Sequence, residues 1–202
     1  MPYRLEVSLT DELFDAEGDS IRQRAASYFG ILIERVRCVH ILTFDVELAP
    51  EQLETIRREI FTNPVTQQSS LAPLPVDFDW CVWVGYRPGV RDNAGATARE
   101  AVEDLLGIRF GPREAIYTST RYCFQGSGLS AEQVHRIAGE LLANAIIQQW
   151  KVYAREEWDP AQGIGIVVPR VELHHTPTVS TISVDSDETL KRISDERNLA
   201  LN

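Results

Sequence analysis

Basic residues are scarce in this sequence. Twenty lysines and arginines stand against 30 aspartates and glutamates in 202 residues, giving a formal net charge of −10 and a pI near 4.9. That balance argues against nucleic acid as a partner, because phosphate contacts need clustered cations. It also argues against docking on anionic membranes. Long apolar runs are missing too: none approaches the roughly 20 residues of a membrane span. The opening MPYRLEVSLT alternates like a strand and lacks the basic and apolar segments of a signal peptide. The expected compartment is therefore the cytoplasm. Cysteine is sparse and odd in number, at Cys38, Cys81 and Cys123, which is no disulfide framework. Each lies in an apolar, strand-like run and is expected to be a small buried thiol.

The usual motifs of catalysis are also absent. None of the three cysteines sits in the strained, Gly-flanked elbow that a nucleophile needs. Ser127 in QGSGLS has glycine on both sides, but its place is an expected hairpin loop. The histidines are His40, His135, His174 and His175. Adjacent His174 and His175 on a strand would point to opposite faces, which does not suit a zinc site. No Walker loop, GxGxxG or HExxH occurs. No catalytic, cofactor-binding or metal-binding residue is assigned in this segment. The most suggestive local text is RPGVRDNAG, Arg87 to Gly95. There Arg87, Arg91, Asn93 and Gly95 form a candidate contact for an anion or for another domain, because a helix N-terminus attracts negative charge. Against it, Asp92 and Asn93 are ordinary capping residues.

What is present is a core and a repeat. Hydrophobic residues make up 44% of the chain, enough to bury a substantial interior. Asp15–Ile31 aligns with Asp92–Ile108 at an offset of 77, with five identities in 17 positions. Ala49–Gln68 aligns with Ser130–Gln149 at an offset of 81, with seven identities in 20. The four residues of Gln125-Gly126-Ser127-Gly128 are the expected insertion that changes the offset. Within each unit the period assigns the elements. Leu5, Val7 and Leu9 alternate, as do Val82, Val84 and Tyr86, so each unit opens with a strand. A helix follows; Ala98, Ala101, Val102, Leu105 and Leu106 lie on one helical face, and Gly30 and Gly107 close the two copies. The β-branched and aromatic stretches Arg35–Glu47 and Ala115–Gln125 are each long enough for two short strands. A second helix starts at Pro50 in one copy and behind Ser130 as N-cap in the other. LLANAIIQQW and IFTNPVTQQS then join helix to final strand, with Asn144 expected to serve the turn through its side chain.

The order βαββαβ, twice, gives an α+β fold class: two tandem ferredoxin-like units forming an intramolecular pseudo-dimer. Strands such as CVWVGY are apolar on both alternations, so each sheet needs a second layer, expected to be the other copy. The connector LAPLPVDFD is expected to cross the surface. Residues 1–75 and 76–155 are the two repeats. Residues 156–202 are a β-extension, with strands at Ile164–Val168 and Val171–Leu173, and a linker helix capped by Ser186 or Asp187.

Asp92, Gly95, Leu141 to Asn144, Ile147 and Trp150 resemble the small S subunit of bacterial phosphoribosylformylglycinamidine (FGAM) synthase. Asp15, Gly18 and Asn63 carry the same pattern in the first copy, where Phe61 and Thr62 replace Leu-Ala. The resemblance implies two fused S-like units over roughly residues 3 to 155, as in the N-terminal part of the large single-chain synthases. It implies a purine-biosynthesis ligase that uses ATP, magnesium and glutamine-derived ammonia to convert formylglycinamide ribonucleotide to the amidine. It further implies that this segment is a non-catalytic assembly domain, with the chemistry in a downstream synthase domain reached through ISDERNLALN. The implied partners are that domain and a glutaminase, with self-association of the S-like part. Two other readings compete. A tandem amino-acid-sensing regulatory domain would bind a small molecule at RPGVRDNAG, though the first copy carries acids there (TDELFDAEG). An RNA-binding sheet would need exposed aromatics among basic residues, against the acidic balance.

Overall fold

The computed structural model describes residues 2–171, 179, 181, 183 and 185–197. They fall in two units, Met1–Val171 and Glu172–Asn202. The first carries one antiparallel sheet built from β1 (Tyr3–Leu9), β2 (Arg35–Asp45), β3 (Gln67–Ser70), β4 (Trp80–Tyr86), β5 (Ala115–Gln125) and β6 (Gln148–Ala154). Its order is β3-β1-β2-β5-β4-β6. Helices α1 (Ala16–Phe29), α2 (Pro50–Ile56), α3 (Asn93–Leu106) and α4 (Ala131–Ile137) belong to the same unit. Both α2 and α4 end in a wider π turn, Arg57–Phe61 and Ala138–Leu142. In the second unit α5 spans Asp187–Arg197, and the Ser186 hydroxyl accepts from the Thr189 amide at its start. The fold class is therefore α+β. Among the described residues no helix is long and apolar enough to cross a membrane.

The helix ends form for the reasons the sequence offered. Gly30 and Gly107 take left-handed φ of 66° and 64° just past α1 and α3, where a side chain would be strained. Pro50 occupies the first turn of α2 behind Ala49, and Ser130 caps α4 in a capping box with Gln133. The Asn144 side-chain oxygen accepts from the Ile146 amide and Asn63 from Val65. The first Gln of each Gln-Gln pair returns the favour: Gln148 and Gln67 accept the amides of Asn144 and Asn63.

Five expectations are corrected. The stretches expected to hold two short strands each form one 11-residue strand, so each half is β-α-β-α-β rather than βαββαβ. The reason is pairing: β2 runs beside β5 from Arg35↔Gln125 to Asp45↔Ala115. A turn inside either strand would strand those backbone groups without partners. Next, the two halves do not stack. They join edge to edge, with all four helices on one face of a common sheet. The other face is covered by the connector and by residues 158–167: Leu74, Phe78, Trp158, Ile164 and Val167 pack on Val39, Ile41, Cys81, Trp83 and Cys123. The connector is thus no surface crossing, since Leu74 and Phe78 are buried. Ile164–Val168 forms no strand; Ile164 and Val167 serve that cover instead. Val171 is irregular, and residues 172–173 lie outside the described residues. Finally, the extra residues are not all at Gln125–Gly128. Asp15 and Asp92 are 77 apart, whereas the amides bonded to their side chains, Cys38 and Thr118, are 80 apart. Three of the four therefore lie between α3 and β5, and one between β5 and α4.

The two halves exchange helices. One core joins β1, α2 and the near end of β2 with α3 from the second half, through Leu5, Phe44, Leu53, Ile56, Ala98 and Val102. The other joins β4, β5 and α4 with α1 from the first half, through Ile21, Ala25, Val82, Phe124, Val134 and Ile137. Each first helix lies on its own half's long strand, Gly18 against Val36 and Gly95 against Ile116, and enters a core that the other half completes. That couples the halves thermodynamically, because each buried aliphatic or aromatic side chain contributes about 1.5–3 kcal/mol.

Candidate functional site

The loop after β4 is where the sequence placed its candidate contact. Arg87 is committed to architecture. Its amide donates to the Ile147 carbonyl at 2.9 Å, and its Nε to the Ala145 carbonyl at 3.0 Å, so it ties β4 to the turn before β6. Gly95 is also structural: a Cβ there would stand 2.1 Å from the Ile116 carbonyl oxygen. Its amide is already taken by Asp92 Oδ1 at 2.8 Å. The other Asp92 oxygen accepts from the Thr118 amide, fastening the start of α3 to β5. A carboxylate seated on the helix N-terminus occupies the place an anion would take. Arg91 and Asn93 are exposed to solvent. The structure therefore brings Arg87 and Gly95 into the scaffold, and leaves Arg91 and Asn93 as the outward-facing pair.

The same lock recurs at the first helix. Asp15 Oδ1 accepts from the Gly18 amide and Oδ2 from the Cys38 amide, each at 2.8 Å. A Cβ on Gly18 would stand 2.2 Å from the Val36 carbonyl oxygen. Close helix-to-strand approach accounts for the Asp and the Gly of the DxxG pattern in both copies.

A charged cluster on the opposite sheet face went unnoticed in the sequence. Glu6 and Arg121 are wholly buried, and Arg4 is 7% exposed. Arg121 Nη2 lies 2.9 Å from Glu6 Oε2 and donates to the Leu74 carbonyl at 2.9 Å. The same carboxylate oxygen accepts the Leu74 amide at 2.8 Å. Arg4 pairs with Glu6 at 3.4 Å and donates to the Gln162 and Gly165 carbonyls, both at 2.9 Å. Trp158 lies over the Arg121 guanidinium, 5.0 Å from Cζ to ring centroid. Burial works against the charge on Arg121, but the groups around it, Cys123 and Glu6 foremost, outweigh burial and raise its pKa. These ions hold the two covering segments onto the sheet. The available signal was the alternation Arg4, Glu6 in YRLEVSL, which places both charges on one face.

The remaining reactive residues are dispersed. His40 Nε2 pairs with Glu17 at 3.3 Å. His135 lies in the last turn of α4, and Ser127 in the turn between β5 and α4 rather than in a hairpin. His174 and His175 lie outside the described residues. All three cysteines are free and buried. Among the described residues no group of three His, Cys, Asp or Glu side chains is placed to hold a metal ion. No protein-family model matches the chain, and no curated protein does.

Proposed function

We propose that this chain is an assembly domain of an FGAM synthase, made of two fused S-subunit-like units. The observation that carries the reading is the internal symmetry of the sheet. Tyr3↔Phe44 in the first half corresponds to Trp80↔Phe124 in the second, and Leu9↔Gln67 to Tyr86↔Gln148. In this reading strands β3-β1-β2-β5 with α2 and α3 stand for one ferredoxin-like unit, and strands β6-β4-β5-β2 with α4 and α1 for the other. The two long middle strands are shared, as expected of a dimer whose subunits were joined into one chain.

In this reading the domain carries no catalytic residue. ATP, magnesium and the amidation of formylglycinamide ribonucleotide belong to the downstream synthase domain, and ammonia release to the glutaminase. The S-like part holds the two together, with Arg91 and Asn93 available as an interdomain contact. The reading is tested by size-exclusion chromatography of the chain mixed with an FGAM synthase catalytic domain lacking its S-like part, and with the glutaminase. Co-elution as one complex supports it. Separate elution from both overturns it.

A further inference from the structure

Cys81 and Cys123 are register partners across β4 and β5. They lie on the sheet face covered by the connector, and both are 0% exposed. Directly opposed residues of an antiparallel pair have Cα atoms about 4.5–5.5 Å apart, within the range a disulfide spans. Cys38 lies on the other face, in the core shared by α1 and α4, and has no cysteine opposite it, since its β5 partner is Tyr122.

Two further features single out Cys123. Arg121 precedes it by two residues on the same strand face and is wholly buried, and its Nε and Nη1 have no hydrogen-bond partner. Cys123 also lines a 190 Å³ cavity with Arg35, Arg37, Val76, Asp77 and Gln125. That volume admits a solute the size of a few waters. A guanidinium beside a thiol favours the thiolate, the reactive form.

We propose that Cys123 is a hydroperoxide-sensitive thiol and that Cys81 resolves it to a cross-strand disulfide. The Cys123 sulfur attacks a peroxide oxygen; an S–O bond forms, the O–O bond breaks, and the departing oxygen leaves as water or alcohol after taking a proton. Cys81 sulfur then attacks Cys123 sulfur, the S–O bond breaks, and hydroxide leaves with the Cys81 proton as water. Two thiols lose two electrons and one hydroperoxide gains them. The cavity is lined by Cys123 and not by Cys81, which sets this order. The Cys81 thiol, working against burial and helped by Arg121, holds Cys123 below its ordinary range, while Glu6 opposes the shift. Burial pushes Cys81 well up, and burial pushes Cys38 up as well.

The test is hydrogen peroxide treatment of the full folded chain, followed by alkylation and unreduced peptide mapping. The expected product is a Cys81–Cys123 crosslink with Cys38 still alkylatable, Cys123 reacting at least about tenfold faster than Cys38. In Cys81→Ser, a dimedone adduct is expected on Cys123. Oxidation of Cys38 at an equal rate, or a crosslink formed only in urea, overturns the proposal. The wild-type arm requires no variant to fold.

Discussion

Glu6 and Arg121 meet at 2.9 Å with no exposure on either side chain. One belongs to the first half of the chain and the other to the second, and between them they grip the backbone of Leu74. A buried ion pair of this kind is strongly destabilising to break, because the remaining charge is left without compensation. Arg121→Met is therefore expected to cost about 3–5 kcal/mol in urea unfolding. Glu6→Leu combined with Arg121→Met is expected to cost clearly less than the two single changes together. A cost below about 1 kcal/mol for Arg121→Met, the level of an exposed pair, would show that the pair does not hold the connector.

Gly18 and Gly95 give a symmetric prediction. In each a Cβ would meet a strand carbonyl oxygen at just over 2 Å, at 2.2 and 2.1 Å respectively, and a backbone oxygen cannot swing away. Gly18→Ala and Gly95→Ala are each expected to lower stability by about 2 kcal/mol or more through overpacking. At Gly128 nothing lies within 4 Å of an added Cβ, so Gly128→Ala is expected to stay within about 0.5 kcal/mol. Thermal unfolding of the three variants decides it. Unequal effects at Gly18 and Gly95 would break the equivalence of the two helix starts.

The pair Glu17–His40 predicts a pH response. Its hydrogen bond with Glu17, against some burial, raises the His40 pKa, and the same bond lowers that of Glu17. A raised histidine contributes stability below its unfolded pKa of about 6.5 and loses it as pH rises through the folded value. A lowered carboxyl contributes above its unfolded value and loses that as pH falls through the folded one. The contribution is thus fullest in mildly acidic solution, between the unfolded values of about 4.3 and 6.5, and is lost as pH passes beyond the folded value on either side. The measurement is NMR titration of the histidines: His40 is expected to titrate above the ordinary value, and Glu17→Gln to bring it down. An unchanged His40 titration in Glu17→Gln would contradict the pairing.

Much of the local structure was legible because its causes are local. Gly30, Gly107, Pro50, Ser130 and Asn144 act on their own backbone neighbourhood, and the structure puts each where its chemistry suggested. Periodicity failed where both faces of a strand are buried. From Arg35 to Asp45 only Arg35 and His40 are exposed, so nothing in the pattern separates one long strand from two short ones. Prolines in LAPLPVDFD suggested solvent, yet they shape an irregular segment that buries Leu74 and Phe78. The exchange of α1 and α3 between cores was invisible for another reason. A repeat says which residues are equivalent, not which copy's core each helix enters. At the candidate contact, Asp92 was visible as a cap, but the approach of Gly95 to Ile116 is a tertiary fact.

The claim that this chain organises a synthase without performing its chemistry is tested most directly by complementation. Formylglycinamide ribonucleotide, ATP, magnesium and glutamine are supplied to a synthase catalytic domain lacking its S-like part, together with the glutaminase, and amidine formation is measured with and without this chain. The chain alone is expected to give no turnover, and glutamine-dependent turnover is expected once it joins the other two. Turnover by the chain alone, or no gain on adding it, would contradict the account.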